Sequence, residues 1–177
     1  GMTIGWGWGR TGGGRGRNSV VGNLIERPTT VRCCDGGAIY TLGPQPGSVL
    51  TRNYIVNPNP ALGPSNCIYH DNGSGGFNDS ANVCQGRFSN QVAVNSALGG
   101  FGPCGKCPSF SPDTPADCTL VASGNYFATD RVGTSYDRVA LGGRCSNVHV
   151  TGNTDLPMSA PLPAAAAAIA ADAGPRY

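Results

Sequence analysis

A chain of 177 residues with a formal net charge of +2 carries too little positive charge to attract nucleic acid through its phosphate backbone. Only 12% of the residues are charged, yet no apolar run reaches the ~18–20 residues of a membrane span. Glycine (28) and proline (14) are abundant while hydrophobic residues still make up 39%, so the composition predicts one domain of many short strands separated by turns.

The first predicted elements are short strands at residues 20–25, which follow the glycine-rich stretch GRTGGGRGRN at 9–18. That stretch resembles an arginine-glycine RNA-binding tract, but a single copy in a chain of low charge favours a flexible loop. Side chains alternate in character at 20–25 and again at 49–54, which is the period of a strand with one buried face.

Asparagines follow these apolar segments at intervals of 30, 29, 43 and 28 residues; they are Asn23, Asn53, Asn82, Asn125 and Asn153. A β-branched apolar residue lies 14 positions before three of them, at Ile39, Ile68 and Val139. A unit of this length cannot bury an apolar face alone, so it must stack on its own copies. The sequence therefore predicts a right-handed parallel β-helix, with Ile39 and Ile68 as neighbours one coil apart. We expect the asparagines to form a ladder, each adopting the left-handed backbone and bonding the next coil.

The interval of 43 residues predicts an insertion of about 14 residues, placed at about 98–117, within a Cys/Pro-rich stretch. Residues 163–173 predict a short helix, with proline at its start, Gly174 at its end and Pro175 after it. The predicted organisation is β-helix coils over 1–156, followed by a C-terminal helix and tail over 157–177. We expect the helix to cover an end or a flank of the coils.

Eight cysteines indicate an oxidising compartment and a secreted protein, and their even number fits full pairing into disulfides. Cys104, Cys107 and Cys118 are close enough in sequence for local bridges, although the connectivity stays open. A zinc site at Cys104 and Cys107 is less favoured, because four ligands are needed. Sequons at Asn72 and Asn78 agree with secretion if the source is a eukaryote. The sequence predicts no cofactor and no metal.

Three stretches resemble the C-terminal coils of pectate-lyase-like right-handed β-helix proteins: GMTIGWGWG, DGGAIYTLGPQPGSVLTRNYI and CIYHDNGSGGFNDSANVC. The resemblance covers residues 1–95 and implies a secreted carbohydrate-active protein, a glycoside hydrolase or polysaccharide lyase acting on a polysaccharide. In such relatives the stretch like GMTIGWGWG lies in mid-chain. We therefore expect a C-terminal fragment whose first coil is covered by upstream coils or a partner chain; a tag scar at Gly1-Met2 is the alternative.

The resemblance also suggests catalytic carboxylates, with Asp71 the first candidate and Asp35 the second. Similar glycosidases use two carboxylates about 5–10 Å apart. Their positions relative to the Ile-Tyr pairs would place the two more than ~20 Å apart along a straight strand, so they cooperate only if the chain bends. The ordinary preference of aspartate for turns explains Asp35 and Asp71 equally well without a catalytic role. Where relatives carry a further acid this chain has Asn72, and His70 is either an acid/base or, as we favour, a surface imidazole.

Aromatic residues predict a carbohydrate-binding strip. Tyr40 and Tyr69 each follow an inward isoleucine and should project outward and stack, with Trp6 and Trp8 flanking them one coil earlier. Aromatic faces suit the C–H faces of sugars, but a ladder of aromatics that only stabilises the sheet is an equal alternative. Two functions therefore remain open: a carbohydrate-active enzyme, or a non-catalytic structural or glycan-binding protein of the extracellular space or cell wall.

Overall fold

The computed structural model describes residues 1–5, 16–28, 36–58, 66–71, 74–88, 92–94, 119–129 and 148–175. Some predictions lie outside these residues: those on Trp6, Trp8, Asp35, Asn72, Val139, the insertion at about 98–117, and all cysteines other than Cys67 and Cys84. Within the described part, fourteen strands and one α-helix form a mostly β structure.

The strands form three sheets, named A, B and C here, and all strand pairings are parallel. Sheet A contains β1 (Met2–Ile4), β4 (Gly37–Thr41), β7 (Asn66–His70) and β10 (Val92–Val94). Sheet B contains β2 (Ser19–Val21), β5 (Pro44–Thr51), β8 (Gly75–Ser80), β11 (Leu120–Ser123) and β13 (Val148–Thr151). Sheet C contains β3 (Leu24–Glu26), β6 (Tyr54–Asn57), β9 (Val83–Gly86), β12 (Tyr126–Thr129) and β14 (Thr154–Pro157).

The chain passes through sheets A, B and C in that order and then returns to sheet A beside its previous strand. We number these passes as repeats: repeat 1 is β1–β3, repeat 2 is β4–β6, repeat 3 is β7–β9, repeat 4 is β10–β12, and repeat 5 contributes β13 and β14. Ile39 lies directly beside Ile68 in neighbouring parallel strands, as predicted. Residues about 29 positions apart are therefore in contact.

Alternation along each strand decides which side chains face the core. In sheet A, Ile39 and Ile68 are fully buried in one apolar cluster that also holds Leu50 of sheet B and Phe127 of sheet C. Because neighbouring strands are in register, core residues of successive repeats lie in rows. One sheet-B row contains Val20, Leu50, Asp79, Ala122 and Val150, and Asp79 is the only charged member of it.

A two-residue corner joins sheet B to sheet C in all five repeats, and its second residue is one of the predicted asparagines. Each asparagine with a ladder neighbour on both sides accepts two hydrogen bonds on its Oδ1 and donates both of its Nδ2 hydrogens. Asn82 Oδ1 accepts from the backbone N–H and Nδ2 of Asn53 at 3.1 and 2.9 Å. Its own Nδ2 donates to Asn125 Oδ1 at 3.0 Å and to the Leu50 carbonyl at 2.8 Å. The predicted ladder is confirmed, and it continues across the interval of 43 residues.

The prediction that the asparagines themselves adopt the left-handed backbone is wrong, because the residue before each of them does. Those residues have φ between 53° and 67°: Gly22, Arg52, Ala81, Gly124 and Gly152. Glycine takes this conformation without strain, whereas arginine and alanine do not. The asparagine is then left in a conformation from which its amide reaches the next repeat.

The helix α1 (Ala164–Asp172) is confirmed where the sequence predicted a short C-terminal helix. Ala166 and Ile169 pack with Val83, Tyr54 and Tyr126, the outer-facing residues of three successive strands of sheet C. Its C-terminal end is tied to the first two repeats by an ion pair between Asp172 and Arg52 at 3.0 Å and by a backbone bond from Gly174 to Gly22 at 2.9 Å. The helix therefore lies on a flank of the repeats, and not on an end.

A disulfide joins Cys67 of β7 to Cys84 of β9, two residues that are both fully buried. It links sheet A to sheet C within repeat 3 and closes a loop of 17 residues, which corresponds to about 3 kcal/mol of stabilisation in the loop-entropy description. No helix among the described residues is long and apolar enough to cross a membrane.

Candidate functional site

The candidate site lies at the C-terminal ends of β4 and β7, on the face of sheet A that alternation turns away from the core. Tyr40 and Tyr69 are direct neighbours in register. Their ring centroids are 5.4 Å apart with the planes at 77°, so the rings meet edge to face. This geometry is favourable for two aromatic rings, but it is not the parallel stack that the sequence suggested.

Exposure differs between the two rings. Tyr69 is only 8% exposed, whereas Tyr40 is half-buried. A ligand on this face would therefore meet Tyr40 before Tyr69, and Tyr69 supports the neighbouring ring from the side.

Asp71 follows β7 directly and is fixed by its backbone and its side chain. Its N–H donates to the Thr41 carbonyl at 3.0 Å, and its own carbonyl accepts from the Ser74 N–H at 2.8 Å. Its carboxylate accepts a hydrogen bond from the Tyr40 hydroxyl of the preceding repeat. Asp71, the first candidate for a catalytic carboxylate, is only 1% exposed. Its hydrogen bonds hold it in place, and the surrounding protein shields it from solvent.

His70 lies on the opposite face of β7, inside the protein, and the prediction of a surface imidazole is wrong. The side chain is fully buried and its ring lies 5.1 Å from that of Phe77. Nδ1 is 2.9 Å from Thr41 Oγ1 and Nε2 is 2.7 Å from Asp79 Oδ2. With both nitrogens bonded to protein groups, this geometry is that of a structural histidine; an acid/base role for it stays a prediction.

The interior contacts of His70 belong to a chain of four polar side chains that we call the buried polar chain: Ser74, Thr41, His70 and Asp79. Ser74 Oγ is 2.8 Å from Thr41 Oγ1 and donates to the Thr41 carbonyl at 2.9 Å. Every member is fully buried. Buried polar groups need such partners, because an unpaired one costs about 1–3 kcal/mol.

Sequence reasoning missed Thr41, Ser74 and Asp79, although alternation could have located two of them. Thr41 stands two positions after the buried Ile39, and Asp79 two positions after the buried Phe77. The segment Asn78-Asp79-Ser80 matches a glycosylation sequon, which indicates an exposed loop, and for that reason the inward orientation of the Asp79 carboxylate was overlooked. In the structure Asn78 is exposed while Asp79 faces the core.

Of the predicted site residues, the structure brings Tyr40, Tyr69 and Asp71 together, and turns His70 inward from the same strand. The separation between Asp35 and Asp71 is not defined, because Asp35 lies outside the described residues, as do Trp6 and Trp8. Within the described ranges, no group of three His, Cys, Asp or Glu side chains is arranged to hold a metal ion.

Comparison with known proteins adds no further assignment: no protein-family model, no curated protein and no solved structure matches this chain.

Proposed function

We propose that this chain is part of a secreted right-handed parallel β-helix protein of pectate-lyase-like type, and that the outer face of sheet A binds a polysaccharide. Three parallel sheets visited in a fixed order support the β-helix. The buried disulfide supports an oxidising, extracellular setting. Tyr40 supplies the accessible ring of the binding surface, and the buried Tyr69 and Asp71 hold that ring in place.

The observation that carries the binding proposal is the link between Tyr40 and Asp71 across two repeats. The Asp71 carboxylate holds the Tyr40 hydroxyl, while the Tyr69 edge supports the ring. An aromatic ring with both constraints loses little conformational entropy when a ligand packs on its face. Aromatic rings present an apolar face suited to sugar C–H groups, with polar atoms at the rim.

Binding without catalysis is better supported than hydrolysis, because Asp71 is 1% exposed and already bonded to Tyr40. A glycosidase acid must reach the glycosidic oxygen, and its partner carboxylate must lie about 5–10 Å away. Hydrolysis through Asp71, with Asp35 as its partner, is the second candidate. The location of Asp71 on the same face as Tyr40 favours it.

The test compares two tyrosine variants on a panel of plant, fungal and bacterial polysaccharides, using affinity electrophoresis and calorimetry. Tyr40→Phe removes the hydroxyl held by Asp71, so the ring must be immobilised when the glycan binds, and we expect affinity to fall about 2- to 12-fold, which corresponds to about 0.5–1.5 kcal/mol. Tyr54→Phe is the matched control, because its hydroxyl donates to Gln85 Oε1 at 2.6 Å on sheet C. Burial is the main cause that raises the pKa of Tyr54, and the Glu26 carboxylate adds to it, so the Tyr54 hydroxyl is a neutral donor.

Loss of affinity in Tyr40→Phe with unchanged affinity in Tyr54→Phe supports the sheet-A surface. Equal loss in both variants, or no binding to any glycan by the native chain, contradicts it.

Asp71→Asn separates the two candidate functions. If the native chain releases reducing ends or unsaturated products from the glycan and Asp71→Asn abolishes this, the enzyme is favoured; if no product appears while binding persists, the non-catalytic function is.

A further inference from the structure

A concave surface lies on the outer face of sheet C, away from the candidate site on sheet A. It is a cavity of about 520 Å³, which we call the sheet-C cavity. The ends of β6 and β9 and the turn after β14 line it, and the lining includes Tyr54, Val56, Gln85, Gly86, Arg87 and Met158. Cavities of about 300–1,000 Å³ hold one small molecule. Its size therefore suits a small ligand and not a polysaccharide chain.

Bare backbone forms part of the lining, at the point where β6 and β9 end. Gly86 is the register partner of Asn57 and has a φ of 109°, and a Cβ at position 86 would overlap the Asn57 carbonyl oxygen. The Arg87 N–H donates to that carbonyl at 3.2 Å, and Asn57 Nδ2 donates to the Arg87 carbonyl at 2.9 Å. Glycine therefore leaves space for a ligand, and the two hydrogen bonds hold the strand ends in place before a ligand arrives.

The apolar side of the cavity consists of Tyr54, Val56 and Met158. Strand alternation places Tyr54 and Val56 on the outer face of β6. Met158 begins the segment after β14, where the Ala160 N–H closes a turn on the Pro157 carbonyl at 2.9 Å. Its side chain is 46% exposed, so a ligand in the cavity would remove apolar surface from water. Tyrosine rings and methionine sulfur both make favourable contacts with aromatic rings, which favours an aromatic ligand.

The polar groups of the lining favour an anionic acceptor. The Tyr54 hydroxyl donates to Gln85 Oε1 at 2.6 Å, which orients the amide and leaves Gln85 Nε2 without a partner among the described residues. Arg87 takes part in another interaction, but a guanidinium carries five N–H donors, so it can keep that contact and still donate to a ligand. The described lining contains no aspartate or glutamate. A carboxylate matches these donors, whereas an ammonium group does not.

We propose that the sheet-C cavity binds a small aromatic carboxylate. The aromatic ring packs against Tyr54, Val56 and Met158, and the carboxylate accepts hydrogen bonds from Gln85 Nε2 and the Arg87 guanidinium. Tyr54 contributes twice, because its ring contacts the ligand and its hydroxyl orients the Gln85 amide. The proposal rests on sheet C alone and is independent of polysaccharide binding on sheet A.

Calorimetric titration of the full chain with three ligands tests the ligand class. Cinnamate is the aromatic carboxylate. Cinnamylamine keeps the same ring and chain but carries an ammonium group, and cyclohexanepropionate keeps the carboxylate on a saturated ring. We expect cinnamate to bind about tenfold more tightly than cinnamylamine, because of charge, and about threefold more tightly than cyclohexanepropionate, because of the aromatic contacts.

Two amide-to-acid variants locate the site. Gln85→Glu keeps an acceptor for the Tyr54 hydroxyl but replaces the N–H donors with a negative charge, so we expect cinnamate affinity to fall about 10- to 100-fold and cinnamylamine affinity to rise. Asn78→Asp makes the same chemical change at an exposed position on sheet B and should leave both affinities within about twofold. Met158→Ala shortens the apolar side without changing charge and should weaken cinnamate binding about 3- to 10-fold. Circular dichroism and thermal unfolding verify that each variant folds.

Each outcome decides the proposal. Cinnamate binding that Gln85→Glu weakens and Asn78→Asp preserves supports it. No cinnamate binding by the native chain, or equal affinity for cinnamate and cinnamylamine, overturns the ligand class, and equal affinity for cyclohexanepropionate overturns the aromatic contact. Equal weakening by Gln85→Glu and Asn78→Asp overturns the location. If Gln85→Glu does not fold, unchanged cinnamate affinity in Met158→Ala overturns the location instead.

Discussion

The corner between sheets B and C and the buried polar chain beside the candidate site are both made of hydrogen-bonded polar side chains, but they differ in repetition. The corner recurs in all five repeats with the same two-residue length and the same asparagine. Among the residues that the structure describes, the buried polar chain occurs once, where repeats 2 and 3 meet, through Thr41, His70 and Asp79. Polar groups that repeat satisfy one another along the stack, whereas the single set must be satisfied by specific partners.

This difference has an energetic consequence. A ladder asparagine bonds copies of itself, so any repeat that adopts the register supplies the partner. The partner of Asp79 is a histidine from another sheet, and no other described repeat carries either residue in that row. Loss of one side chain in the buried polar chain therefore leaves a buried polar group without a partner that no neighbouring repeat can replace.

The largest expected effect is loss of the His70–Asp79 pair. His70→Leu leaves the fully buried Asp79 carboxylate without its imidazole, and we expect a loss of about 4 kcal/mol in the free energy of unfolding. The double variant His70→Leu/Asp79→Val replaces both partners with apolar side chains, so it should lose less than about 2 kcal/mol. Urea unfolding monitored by circular dichroism measures both.

The double variant is the control for packing, because it keeps the altered side chain at position 70. If it is less stable than His70→Leu alone, the pair contributes through shape and not through charge compensation. That result would remove the distinction between the buried polar chain and the ladder.

The next expected effect lies within the ladder and depends on position. Asn82→Ala removes the acceptor of two Asn53 donors and the donor to the Leu50 carbonyl, and we expect a loss of about 3 kcal/mol. Asn23→Ala at the ladder end keeps the backbone bond to Asn53 Oδ1 and should lose about 1 kcal/mol. Equal losses in the two variants would show that the ladder is not cooperative along the repeats.

Much of the repeat architecture was predictable from the sequence. Spacing of the asparagines located the corners, and the register of Ile39 and Ile68 followed from the same interval. The ladder survives the interval of 43 residues because the extra chain falls between β10 and β11 and leaves the corners in line. Periodic signals work well here because each repeat must match its neighbours.

The candidate site was less predictable. Tyr40 and Tyr69 are neighbours as expected, but the contact of Asp71 with Tyr40, the orientation of His70 and the role of Asp79 were missed. The last two follow from a sheet-to-sheet contact inside one repeat, for which the sequence provides no period. A group of residues that occurs once cannot be found by comparing repeats. Strand alternation could still have indicated that positions 70 and 79 face the core, because each lies two residues after a buried residue, Ile68 and Phe77.

The smallest expected effect concerns the residue before each ladder asparagine. Gly124 has a φ of 62° and nothing within 4 Å of the place where a methyl group would lie, so Gly124→Ala should lose about 1 kcal/mol through backbone strain alone. Ala81 occupies the equivalent position with a φ of 53°, and Ala81→Gly should gain a few tenths of a kcal/mol, because relief of that strain is partly offset by the greater freedom of glycine in the unfolded chain. Thermal unfolding of both variants measures the pair. If Gly124→Ala lowers the free energy of unfolding and Ala81→Gly raises it, the repeat imposes the corner conformation whichever residue occupies the position. If both substitutions lower it, packing of the Ala81 methyl beside α1 contributes more stability than its backbone strain removes.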